Sequence, residues 1–118
     1  MPTKTRQSEA AFQLQVLALA YYAGWTLLYH AYDARRSPPG LPDLLLASPP
    51  RLLWLELKTA AGRLRPGKWS RNGDWLRGQE AVLELLGECG QEAHLIRDDE
   101  DGWVKLKRVL GVKEATDA

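Results

Sequence analysis

Two short motifs place acids and a lysine where they could act together. Pro42-Asp43 opens an apolar run (Asp43 to Ala47, DLLLA), and Glu56-Leu57-Lys58 closes another (Arg51 to Lys58, RLLWLELK). Ser48-Pro49-Pro50 between them is a turn signal, so the two runs read as strands of a hairpin. Antiparallel pairing sets Asp43 opposite the end of the partner strand, near Glu56. Two carboxylates converging on one point repel each other unless a cation sits between them. Oxygen-only ligands suit a hard divalent ion, Mg2+ or Mn2+, rather than zinc. The peptide carbonyl of Leu57 could complete that shell. Strand side chains alternate, so Lys58 shares a face with Glu56 while Leu55 and Leu57 take the other. From there Lys58 could orient or help deprotonate an attacking water, or stabilise charge building on a phosphoryl group. These parts specify metal-assisted hydrolysis of a phosphodiester. Glu9, at the start of the first helix, is a third acid in the set.

Each piece also has an ordinary structural reading. A Pro-Asp pair commonly begins a strand, a Glu-x-Lys at a strand end commonly forms an edge salt bridge, and Glu9 suits any helix start. What raises the set above its parts is that all three fall at the right elements in the right order.

The elements that must position these residues follow from pattern. Ser8 is an N-cap, and residues 9–23 read as a helix with Phe12, Val16, Leu19 and Ala20 at helical spacing and Gly24 as its stop. Residues 25–30 (WTLLYH) read as a strand and 31–41 as a Pro- and Gly-rich loop. After the hairpin, residues 59–74 are a Gly- and Arg-rich loop, 75–89 a helix, 92–97 a strand, 98–102 an acidic turn and 103–110 a helix. The order αβββαβα predicts an α/β sandwich around a central mixed sheet. Strand 51–58 is apolar on both faces in its first part, as a central strand is. Trp54 shares a face with Glu56 and is expected beneath the site. Cys89 is expected to be a small buried hydrophobe, and Tyr21 and Tyr22 cannot both face the core. His30, at a strand end, either touches the site or a phosphate or is structural.

At 118 residues the chain is expected to be one domain, with a core spanning about 8–110. The single cysteine excludes an intramolecular disulfide and a cysteine-based zinc cluster. No 18-residue apolar run exists for a membrane span. The segment MPTKTRQSEA lacks the apolar core of a signal peptide, so the default expectation is a cytoplasmic setting. The formal net charge of +1 conceals a strong asymmetry: residues 51–77 carry a net +5 and residues 78–102 a net −7. A basic stretch that also holds Trp69 and Trp75 could face a phosphate backbone, or be a solvated loop with scattered charge. Arg35 and Arg36, just before Pro42-Asp43, could likewise grip backbone phosphates.

The ordered set resembles the PD-(D/E)xK nuclease superfamily, and within it the virus-type replication-repair nuclease (VRR-NUC) domain. The resemblance is carried by Glu9 with Gln13, Gly24-Trp25, His30, Gly40-Leu41-Pro42-Asp43-Leu44, Leu55-Glu56-Leu57-Lys58, Gln79, and Leu86 with Gly90. It implies a restriction-endonuclease-like three-layer sandwich, with Glu9, Asp43 and Glu56 as metal ligands or holders of metal-bound water. It further implies that Lys58 is the catalytic lysine and that Gln79 lines the site. Stand-alone members are similar to Holliday junction resolvases, which implies a homodimer cutting branched DNA with Mg2+ or Mn2+. The segment RLRPGKWSRNGDW, between Lys58 and Gln79, is longer and more basic than the family pattern. It makes Arg63, Arg65, Lys68, Trp69 and Arg71 candidate DNA contacts, a tryptophan there stacking on an unpaired base. Two other readings stand beside this one: a non-cleaving DNA-binding module on a degenerate nuclease fold, and a nuclease for other nucleic-acid substrates.

Overall fold

The Ser8 hydroxyl accepts a hydrogen bond from the Ala11 amide at 3.1 Å and so caps α1 (Glu9–Tyr22). In the computed structural model, which describes residues 7–31, 40–64 and 78–112, six further elements follow. They are β1 (Thr26–His30), β2 (Leu44–Ser48), β3 (Arg51–Thr59), α2 (Gln79–Glu88), β4 (Glu92–Asp98) and α3 (Glu100–Leu110). The strands form one mixed sheet in the order β1-β2-β3-β4. β2 pairs antiparallel with both β1 and β3, and β3 pairs parallel with β4. The expected order αβββαβα, the hairpin and the central place of β3 are all present.

The pleat sorts the sheet into two unequal faces. One face presents Leu44, Leu46, Leu53, Leu55, Leu57 and Ile96, all fully buried, to α1 and α3. Phe12, Val16, Leu17 and Ala20 of α1 and Leu106, Val109 and Leu110 of α3 close this core. Phe12 and Trp103 join the two helices edge to face at 5.5 Å. α2 stands on the opposite face, where coverage is incomplete. Its Val82, Leu83, Leu85 and Leu86 are only half-buried, and Leu52 on that face of β3 is exposed. The third layer is thus present but thinner than the first.

Several local expectations are corrected. Residues 98–102 are not an acidic turn: Asp98 ends β4, Asp99 caps α3 by accepting from Gly102 N at 2.7 Å, and Glu100 and Asp101 lie in the helix's first turn. Negative charge is favoured there by the helix dipole. Cys89 is exposed at the C-terminal end of α2 rather than buried. As expected, Tyr21 and Tyr22 do not both face the core; both face solvent, because α1 turns Phe12, Val16, Leu17 and Ala20 inward. α2 begins at Gln79 behind Gly78, and residues 75–77 lie outside the described residues. Among the described residues no helix is long and apolar enough to cross a membrane.

Candidate active site

The hairpin register brings Asp43 to the end of β3. Leu44 pairs with Leu55 in an antiparallel ladder, so Asp43, one residue earlier, falls beside Glu56. Its Oδ2 accepts the Leu57 amide at 2.8 Å, which fixes the carboxylate against the β3 backbone. The carbonyl of Asp43 accepts from Ala31 N at 2.9 Å, anchoring the same residue to the end of β1.

Gly40 makes the approach possible. Its φ of +85° lies in the left-handed region, and a Cβ there would stand 2.9 Å from Val82 Cγ2 and 3.0 Å from Gly78 O. The segment leading to Pro42-Asp43 therefore runs directly against the start of α2. That contact carries Gln79 to the site, where its Nε2 donates to Glu56 Oε1 at 3.2 Å.

Among the described residues Glu56 is the one buried charged side chain, 1% exposed. Its other oxygen, Oε2, is buried with no hydrogen-bond partner. The carboxyl is pushed up to about 9, first by burial, then by carboxyl–carboxyl contact with Asp43 and the like charge of Asp43. Lys58 pulls in the opposite direction, and the more distant charge of Glu9 adds a small upward push. The two effects of Asp43 have one origin: it can share a proton with Glu56 only while one of them is protonated. Once both ionise, two acceptors face each other and Glu56 Oε2 has no donor.

Lys58 is half-buried and follows Glu56 by two residues on the same strand face. Asp43 and Lys58 are both partly open to solvent, and together they form the approach to the sealed Glu56. Glu9 is exposed at the start of α1. Nearby, Asp98 accepts from Gln7 Nε2 at 2.8 Å and from Trp103 Nε1 at 3.1 Å, tying the segment before α1 to the end of β4. Glu9 acts on Glu56 through charge, and among the described residues no three His, Cys, Asp or Glu side chains cluster closely enough to hold a metal together.

His30 Nε2 lies 2.9 Å from Gln13 Oε1, joining β1 to α1 one turn beyond Glu9. Burial lowers the imidazole pKa, with the charge of Asp43 opposing. The sequence leaves open whether His30 meets the site; the β1–β2 register, with His30 opposite Leu44, brings it close enough to Asp43 to feel its charge. Trp54, expected beneath the site, is half-buried and donates from Nε1 to Gln91 Oε1 at 3.3 Å, towards the opposite end of the sheet. Arg63 is exposed just after β3. Arg35 and Arg36, and Arg65, Lys68, Trp69 and Arg71 with Trp75, lie outside the described residues.

The donor set fits a hard divalent cation. Two adjacent carboxylates, one with a buried oxygen lacking any donor, are what a cation would satisfy. A scan against protein-family models finds no match for the chain. Curated proteins yield no match either. Among solved structures it is similar to Hjc, a Holliday junction resolvase from the archaeal hyperthermophile Archaeoglobus fulgidus. The TM-score is 0.49 and the identity 19%, over 75% of this chain and 65% of that one. The chain therefore spans just under two thirds of that resolvase's length. The VRR-NUC resemblance rests on the motif residues themselves.

Proposed function

We propose that the chain is a divalent-metal-dependent DNA endonuclease, acting on branched DNA as a homodimer. One observation carries the reading. Asp43 and Glu56 are held side by side, one of them sealed and with an oxygen that has no donor, next to a lysine on the same strand face. A fold gains nothing from driving two carboxylates together, whereas a phosphodiesterase needs such a pair. The motif resemblance to the VRR-NUC domain supports the choice of branched DNA and of a two-site dimer.

Asp43, Glu56 and the Leu57 carbonyl would hold Mg2+ or Mn2+, with Glu9 engaging bound water. When bound, such an ion supplies charge neutralisation at the phosphoryl oxygens and lowers the pKa of water. The other tasks belong to the chain. The Leu57 amide fixes the orientation of Asp43, and Gln79 fixes that of Glu56. Lys58 sets the line of the attacking water and offsets charge growing on the phosphate as the P–O bond breaks. The basic residues 63–71 and Arg35 and Arg36 would grip the DNA backbone.

The lack of a three-acid cluster among the described residues favours one rival, a non-cleaving DNA-binding module on the same fold. A cleavage panel of branched DNA, linear duplex and RNA, each with Mg2+, Mn2+ or a chelator, separates the two. Cutting of the branched substrate with either ion and none with chelator is expected. No cutting in any arm, together with no heat on titration with Mn2+, would leave the binding module as the answer.

A further inference from the structure

Arg97 has no role in the reading above, yet its position is specific. It pairs in register with Lys58 across the parallel β3–β4 ladder, so the two cations stand side by side on the Glu56 face. Like charges directly opposite on neighbouring strands are unfavourable. The arrangement is kept because the guanidinium turns away to the backbone beyond β3. Its Nη1 donates to Thr59 O at 3.3 Å and also to Gly62 O. The turn that receives it is closed by Gly62 N donating to the same Thr59 O at 3.1 Å.

Gly62 is in turn packed on Lys58. A Cβ at residue 62 would lie 3.3 Å from Lys58 Cδ and 3.1 Å from Thr59 Oγ1. The peptide held by Arg97 therefore lies against the lysine stem. Lys58 carries four rotatable bonds, and its ammonium has no fixed direction of its own. Something outside the side chain must aim it.

We infer that Arg97 is a positioning residue for Lys58: by clamping the Thr59–Gly62 turn it holds Gly62 against the lysine stem and directs the ammonium towards Asp43 and Glu56. This rests on the nuclease reading for its consequence in catalysis, but the clamp itself can be measured without any activity. It also separates Arg97 from the arginines expected to touch phosphate, because both of its recorded bonds go to backbone carbonyls.

The test uses the full-length chain with Arg97→Lys, Arg97→Met and Gly62→Ala. Hydrogen exchange by mass spectrometry over residues 59–64 is read first. Both Arg97 variants are expected to exchange at least about tenfold faster there than wild type, with core peptides of β2 and α1 unchanged. Lysine keeps the charge, but its ammonium ends one bond short of the Nη1 position that reaches both carbonyls, so it should not rescue. Cleavage of branched DNA is read second: kcat is expected to fall by about tenfold or more in the Arg97 variants, and less in Gly62→Ala, with Kd for DNA unchanged. Wild-type exchange rates in both Arg97 variants overturn the clamp. Weaker DNA binding at unchanged kcat, with Arg97→Lys near wild type, makes Arg97 a phosphate contact instead and also overturns it. A wild-type chain that cuts nothing refutes the nuclease reading, while the exchange measurement still decides the clamp.

Discussion

The two ends of β3 are built on opposite principles. At its start, Arg51 is fully used: Nε donates to Glu92 Oε2 at 2.8 Å, and Nη2 to Glu92 Oε1 at 2.6 Å and to Val109 O at 2.9 Å. The guanidinium also lies 5.0 Å over the Trp25 ring, whose Nε1 donates to Leu110 O at 3.0 Å. One side chain thus ties β3, β4, α3 and the start of β1, with every charge answered. At its end, the strand carries Glu56 beside Asp43 and Lys58 beside Arg97, acid next to acid and cation next to cation. The strand is one and its core face, Leu53, Leu55 and Leu57, is continuous, while its partner changes from β2 alone at residues 51–52 to β4 alone at residues 56–59. Acids left side by side at one end of a strand whose other end pairs its charges so completely are what the proposed metal site would require.

The largest test of the contrast is at the unpaired end. Asp43→Asn keeps an oxygen that can accept from Leu57 N but removes a negative charge, and Lys58→Ala removes the only ammonium on that stretch of strand. Each is expected to lower the cleavage rate of branched DNA by about a hundredfold or more, with the circular dichroism spectrum unchanged. Above about pH 9, where Glu56 would otherwise ionise beside Asp43, Asp43→Asn also relieves the repulsion, so its metal-free Tm there should equal or exceed that of wild type. A clear fall in Tm would show that the pair is structural and erase the distinction between the two ends.

The next test is the pH dependence of the metal-free chain. Glu56 is pushed up to about 9 in the folded state, from an ordinary value of 4.5. Between those values the folded state binds a proton that the unfolded chain releases, so this residue's contribution to stability falls as pH rises through the window. Unfolding by urea in chelator should show declining stability from near pH 5 to near pH 9, and Glu56→Gln should flatten that slope. Saturating Mn2+ should oppose the decline, since the ion favours the ionised pair. An unaltered slope in Glu56→Gln would place the charge conflict elsewhere.

At the paired end, Arg51→Ala removes three hydrogen bonds and a ring contact. The ion pair is about two-fifths exposed on each side, which limits its worth. Together the losses should cost about 1–2 kcal/mol, seen as a Tm lower by several degrees. Cleavage well below that Tm should be unaffected, because among the described residues Arg51 touches Glu92, Val109 and Trp25 and none of the site side chains. Loss of activity at full folding would mean that the two ends are coupled.

The sequence made the unpaired end more legible than the paired one. Asp43, Glu56 and Lys58 could be placed because strand alternation and one hairpin turn determine which side chains meet. Arg51 and Glu92 are 41 residues apart and meet only through the parallel β3–β4 register, which no local pattern specifies. Arg97 was hidden for the same reason. The misread turn at 98–102 has a different cause. Gly102 looks like a breaker, but it sits inside α3 because a Cβ there would lie 1.8 Å from Arg97 O, where the helix folds back tightly on β4. Cys89 was misjudged because the outer layer is thin: α2 buries none of its residues fully.

The smallest expected effect separates the two ends by the direction in which pH acts. Glu92 is held below the ordinary carboxylate value, chiefly by its hydrogen bonds from Arg51, with burial opposing. Its contribution is therefore complete above about pH 4.5 and fades as pH falls through the folded value. Glu56 has the reverse dependence, losing stability only on the way up. Glu92→Gln should remove part of the acid limb of the stability curve, by under about 1 kcal/mol for so exposed a pair, and leave the alkaline limb untouched. Glu56→Gln should do the opposite. If the two substitutions altered the same limb, β3 would be a strand with one kind of end, and the inference from unpaired charge to ligand site would lose its footing.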